Sequence, residues 1–172
     1  MNFPTPSRAA MQGIIVYAGF VLIFIFFAIV LWDRGFVTVA NLTNILVQTA
    51  PATIMAIGLV FVLSSGEIDL SFGAIVALAA IVAALVMREA HWTLGVLAGL
   101  GTGVLAGAVN GAIVAYARLP SFLVTLATMG IIAGLARQIS DLQSISVTAR
   151  PFIAAFGGGK FLGIPSLVIW TL

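Results

Sequence analysis

The stretch Ser64-Ser65-Gly66-Glu67-Ile68-Asp69-Leu70-Ser71-Phe72-Gly73 sets two carboxylates between two long apolar runs. An Asp at the centre of a membrane helix costs roughly 2.5–3.5 kcal/mol on insertion scales. Both acids therefore belong at a break between helices, near an interface or facing a wet cavity. Gly66 and Gly73 bracket that break. Asp69 has two readings there. Its carboxylate can cap the following helix by accepting first-turn N–H groups, with Ser71 adding a bond. Alternatively, Glu67 and Asp69 line or gate a permeation route, since broken helices with free ends are how transporters build sites.

Working outward, the charges cut the chain into apolar pieces: Ala9–Trp32, Gly35–Gly66, Leu70–Met87, Trp92–Ala117 and Leu119–Ala136. About 20 apolar residues cross a ~30 Å hydrocarbon layer as a helix. The pieces predict five complete spans, near 13–31, 42–63, 70–87, 94–117 and 121–136. Backbone groups in lipid must be satisfied within a segment, and no period of two is visible, so the spans are helices and not barrel strands. The first run ends at Leu31-Trp32-Asp33-Arg34 with no small-residue cleavage site, which reads as a span and not as a removable signal. The region 137–165 is polar, rich in Gly and interrupted by Pro. It reads as a surface loop with a short interfacial helix at 151–156. Gly163-Ile-Pro165 opens another apolar run that stops at Leu172, the start of a sixth span. The expected fold is an all-α polytopic helix bundle, with 1–172 one membrane-spanning domain that is the N-terminal part of a longer chain.

Composition agrees. Of 172 residues, 62% are hydrophobic and 7% charged, against roughly 25% charged in soluble domains. Mean hydropathy is +1.26. Twelve charges cannot clothe a soluble fold of this size, which excludes cytosolic enzymes, nucleic-acid binders and secreted modules. With no Cys and one His, the common zinc patterns are excluded as well.

Five other features bear on the reading. Pro51 lies inside the second run and cannot donate to the carbonyl of Val47, which predicts a kink beside Gln48 and Thr49. That kink serves either packing or a flexible pathway lining. Gly95, Gly99, Gly103, Gly107 and Gly111 recur every four residues, a close-packing face for another helix. Within that ladder, Gly101-Thr-Gly103-Val-Leu-Ala106 imitates a dinucleotide fingerprint but lacks its βαβ setting. Gly159-Lys160-Phe161 has no phosphate-loop spacing. His91 beside Glu89 is the only base-like pair, in a very short loop, so the chain is read as a non-enzyme.

The segment around Asp69 resembles the Gly-Ile-Asp-Leu-Ser-Val-Gly signature of permease subunits of monosaccharide ABC importers, the ribose, xylose and galactose type. Asn41-Leu-Thr-Asn-Ile-Leu-Val-Gln48, Asn110-Gly111, Arg118-Leu-Pro-Ser-Phe-Leu-Val-Thr-Leu126-Ala-Thr128 and Gly163-Ile-Pro165 are similar to that family in order and spacing. Glu67 stands where many members have Gly, and Phe72 where many have Val. The resemblance implies about ten spans in a homo- or heterodimer of permease subunits, placed in the bacterial inner membrane. It implies two cytoplasmic ATPase subunits that bind the ATP, and a periplasmic sugar-binding protein. This chain itself then needs no cofactor. It also implies alternating access, with the ATPase-contacting segment beyond Leu172. A neutral sugar could be served by Gln48, Asn110 and Thr125, which could equally be inter-helix hydrogen bonds. The family orientation puts the N-terminus in the cytoplasm, although the Lys and Arg count favours the reverse. An ion-coupled secondary transporter or channel is the alternative, and Glu67/Asp69 would be its only ionisable pair.

Overall fold

The computed structural model describes residues 8–172. Five helices are long and apolar enough to cross a bilayer: α1 (Arg8–Val30), α2 (Val39–Ser64), α3 (Phe72–Glu89), α4 (Trp92–Ala117) and α5 (Ser121–Ser140). A short helix α6 (Arg150–Phe156), a hairpin of β1 (Lys160–Phe161) and β2 (Ile164–Pro165), and one turn of helix α7 (Ser166–Ile169) follow. The chain divides into two compact units, the first ending at Thr49 and the second beginning at Ala50.

In the first unit, α1 ends in a 3₁₀ turn at Trp32–Arg34, closed by Gly35 at φ 73°. Phe36 then packs its ring on Phe24 and Phe27, centroids 5.6 and 6.1 Å away. Thr38 sits just before α2, and its Oγ1 accepts from the Asn41 N–H at 3.3 Å. That is the N-cap arrangement Thr favours, because it satisfies a helix-start donor with no backbone partner. Asn41 Nδ2 donates to the Phe36 carbonyl at 2.7 Å, fastening the turn from the helix side.

The second unit is built on the hairpin of α3 and α4. Only Ala90 and His91 separate the two helices. His91 Nδ1 accepts from the Thr93 N–H and caps α4, so the one histidine has a local structural partner. Gly95 and Gly99 are buried where α4 meets α3. A β-carbon on Gly99 would stand 3.0 Å from Ala83 Cβ and 3.1 Å from the Ala79 carbonyl oxygen. One on Gly95 would strike Met87 Cγ and stand 2.7 Å from the Ala83 oxygen. α5 closes the other side of α3, with Leu78, Ile132 and Ala136 as the core and Ala74, Ile75 and Ala106 packed round it. The outward faces stay bare, with Phe61 73% and Leu100 64% exposed. Water would penalise that surface heavily, whereas lipid tails do not.

The helix ends correct the expected spans in two places. α3 begins at Phe72 and not at 70, because the backbone at Ile68 and Leu70 is bound sideways by α5. α5 continues past Arg137 to Ser140, since a charge marks a membrane edge and not a helix end. It finishes with Asp141 in the left-handed region at φ 50°, its N–H bonded back to the last turn, a conformation Asp tolerates better than most residues. The interfacial helix expected at 151–156 is α6. The β-hairpin was not expected, and its two turn residues, Leu162 and Gly163, take φ of 51° and 84°, as a two-residue hairpin requires. Of the expected sixth span, the described residues show only the single turn of α7, tied by the Trp170 indole N–H to the Ala155 carbonyl at 2.9 Å.

Candidate functional site

The connector between α2 and α3, residues 65–71, is where helical hydrogen bonding stops. α2 ends in a paired closure. The Gly66 N–H donates to the Leu63 carbonyl at 3.0 Å, and the Glu67 N–H reaches back to Val62 at 3.3 Å. This Schellman pattern needs a left-handed residue at its centre, and Gly66 at φ 81° supplies it without steric cost. Glu67, Ile68 and Asp69 then belong to neither helix nor strand.

Peptide groups that leave the helix must find other partners, and α5 provides them. Ser121 Oγ accepts from the Ile68 N–H at 3.0 Å, and Thr125 Oγ1 accepts from the Leu70 N–H at 3.1 Å. Four residues apart, the two hydroxyls share one face of α5. The Thr125 proton in turn reaches the Ser121 carbonyl at 2.8 Å and the Ile68 carbonyl at 3.2 Å. Thr125 is buried, at 3% exposure.

The other clamp comes from α4. Asp69 Oδ1 accepts from the Ser71 N–H at 2.7 Å and from the Ser71 hydroxyl at 2.6 Å. Asn110 Nδ2 donates to Ser71 Oγ at 2.8 Å. Amide, hydroxyl and carboxylate thus form one relay from α4 to the connector, with Ser71 fully enclosed. The expected cap is corrected in detail. The Asp69 carboxylate closes on Ser71 and not on first-turn N–H groups, because Ser71 itself is the N-cap residue of α3, and its own side chain makes no cap bond. A carboxylate bonding two residues ahead is the turn chemistry Asp favours. Asn110 Oδ1 is buried with no hydrogen-bond partner among the described residues.

Beside this clamp lies a cleft of about 660 Å³ between the end of α2, the connector, α4 and α5. Glu67, Asp69, Asn110 and Thr125 line it, together with Ser65, Ser121, Gly107 and Gly111. No Lys, Arg or His contributes to that lining among the described residues. Of the remaining residues singled out in the sequence, Ser71 and Gly66 lie in the connector and Gly73 in the first turn of α3. Pro51 is exposed on α2, which continues as helix through it, and Gln48 is exposed on α2 within the first unit. The glycine ladder divides: Gly95 and Gly99 meet α3, whereas Gly103, Gly107 and Gly111 have nothing within 4 Å among the described residues. Ser65 and Ser121 were missed from sequence. The signal for Ser121 was its four-residue spacing from Thr125 directly after Pro120. Among the described residues, no cluster of His, Cys, Asp and Glu could hold a metal ion.

Comparison with known proteins identifies the lineage. Residues 41–171 match the family described as branched-chain amino acid transport system / permease component. The L-arabinose ABC transporter permease protein AraH of Azospirillum brasilense is 34% identical over 171 residues, 98% of this chain and 50% of that protein. The xylose transport system permease protein XylH of Escherichia coli K12 is 38% identical over 143 residues, 81% of this chain and 36% of that protein. The ribose import permease protein RbsC of Haemophilus influenzae is 35% identical over 158 residues, 89% of this chain and 49% of that protein. The chain spans about half the length, or less, of these curated relatives. No solved structure matches it. With five apolar helices and a family match over most of its length, this multi-pass membrane chain belongs to the permease component family of branched-chain amino acid transport systems.

Proposed function

We propose that this chain forms part of the carbohydrate translocation pathway of an ATP-driven importer in the bacterial inner membrane. The observation that carries this reading is the 34% identity to an L-arabinose permease across 98% of the chain. The geometry supports it: a broken-helix connector, clamped by hydroxyls and an amide, borders a largely apolar cleft into which a few polar side chains are set. Helix breaks of that kind let a membrane protein place polar groups at depth without unsatisfied backbone. Transport would proceed by alternating access, with the sugar passing chemically unchanged and the chain performing no catalysis. ATP would be bound and hydrolysed by separate cytoplasmic subunits. A periplasmic sugar-binding protein would deliver the substrate, and a second permease subunit would complete the pathway. An ion-coupled carrier is less well supported, because its coupling would rest on Glu67 and Asp69 alone, and Asp69 already holds Ser71.

Uptake of labelled L-arabinose, D-xylose and D-ribose tests this, in cells with the gene, without it and complemented. At least one sugar should lose most of its uptake on deletion and regain it on complementation. In membrane vesicles that uptake should require ATP and the binding protein. Uptake driven by a proton or sodium gradient without ATP would refute the reading.

A further inference from the structure

We infer that the segment from α6 to α7 is a seat for an anionic phospholipid of the surrounding bilayer. Lys160 receives the headgroup phosphate, and the apolar pocket beside it receives the start of an acyl chain. Five apolar helices hold the chain in a membrane, and α6 follows α5 after the tether 141–149. Gln143 and Ser146 of that tether border a groove with Arg88 and Ile139, so it runs past the ends of α3 and α5, where the headgroups begin. Residues 142–172 contain no Asp or Glu, and their only charges are Arg150 and Lys160. Neither cation makes an ion pair among the described residues. Two cations without an acid favour an anionic surface over a neutral one.

The pocket has a volume of about 370 Å³, within the roughly 300–1,000 Å³ usual for small-molecule sites. Ala154, Ala155, Phe161, Ile169 and Trp170 give it apolar walls. The Phe156 ring stacks on Trp170 at 5.0 Å between centroids, and Phe152 follows at 5.2 Å. The polar groups nearby are already spent: Trp170 donates its indole N–H to Ala155, and Ser166 donates its hydroxyl to the Gly157 carbonyl at 3.2 Å. The Lys160 ammonium is therefore the one charge on the lining. At the hairpin beside it, Phe161 and Leu162 are 68% and 88% exposed. Rings and aliphatic chains that sink below the phosphates, with a lysine held at their level, are the composition of an interfacial anchor. An anionic phospholipid presents the matching order of groups, phosphate above and hydrocarbon below. This inference is independent of what the protein transports.

Bromine quenching of Trp170 fluorescence tests it on the full chain in nanodiscs. Trp32→Phe and Trp92→Phe leave Trp170 as the sole tryptophan. Phosphatidylglycerol brominated near the start of its acyl chains should quench Trp170 about fivefold more effectively, mole for mole, than equally brominated phosphatidylcholine, the preference one lysine gives for an anionic headgroup. Lys160→Gln should equalise the two lipids. Ala154→Leu fills the pocket from an exposed position, and should reduce quenching by both with helical content unchanged. Equal quenching by the two lipids in the Lys160 protein overturns the seat, as does a preference that survives Lys160→Gln. Quenching by neither lipid also overturns it and turns this face toward a protein partner. Relief of phosphatidylglycerol quenching by soluble glycerol 1-phosphate overturns it in favour of a free phosphate ligand.

Discussion

At the scale of single residues, Ser71 has the largest consequences in the connector. It is enclosed completely, donates to Asp69, and accepts from Asn110. Removing its hydroxyl leaves a carboxylate and a buried amide short of one partner each. Ser71→Ala should therefore cost about 2–3 kcal/mol, more than an exposed Ser→Ala change. Thermal unfolding in detergent should show this as a fall in Tm, and an unchanged Tm would count against the relay. The acids at this break were legible in the sequence because lipid forbids carboxylates inside a span. The cap at Asp69 was legible in kind, from the turn chemistry of Asp and Ser. Asn110, which donates to Ser71 from 39 residues away, was only one of several polar residues that the resemblance marked. Spacing along a chain says which residues share a helix face, but not how that helix is rotated against another segment.

Among the elements, the glycine ladder of α4 divides into two halves that look alike in sequence. Gly95 and Gly99 touch α3, while Gly103 and the two glycines beyond it meet open space. Gly99→Leu should force α3 and α4 apart and cost about 3 kcal/mol through overpacking. Gly103→Leu has room within this chain and should leave its thermal stability near wild type. Any loss of membrane-assembled protein in that variant would then report a second element seated on the same face. Parallel thermal-shift and blue-native gel measurements separate the two. Sequence alone could not divide the ladder, because a four-residue repeat identifies a close-packing face without saying which stretch of it is covered. The ends of α3 and α5 were misjudged for a related reason. Helix boundaries follow hydrogen-bond closure, as at Gly66 and Asp141, and charges give only the membrane edge. The β-hairpin at Lys160–Pro165 was hidden because its turn carries a Leu at positive φ, a position sequence rules reserve for Gly or Asn.

Over the whole molecule, the membrane class was the most legible feature, since 7% charge cannot clothe a water-soluble surface. The arrangement of helices was less so. Charges delimit spans but do not decide which pack together, and the buried core reduces to a few contacts such as Leu78 with Ile132 and Ala136. Orientation is the remaining property at this scale. The resemblance to sugar permeases implies that α1 starts in the cytoplasm, which would put Arg118, in the turn between α4 and α5, on the cytoplasmic side. A single Cys introduced at 118 should resist a membrane-impermeant maleimide applied from the periplasm and react once the cells are opened. Labelling from outside would invert the topology and would agree with the excess of Lys and Arg on the other side.

The two-residue link of Ala90 and His91 carries a consequence for biogenesis and motion. A connection so short leaves α3 and α4 no slack, and their glycine-mediated contact begins within one turn of it. The pair should enter the bilayer from the ribosome as a single hairpin, already mated. Whatever rearrangement the protein undergoes in operation, these two rods should swing as one rigid lever, leaving the joint at residues 65–71 to bend.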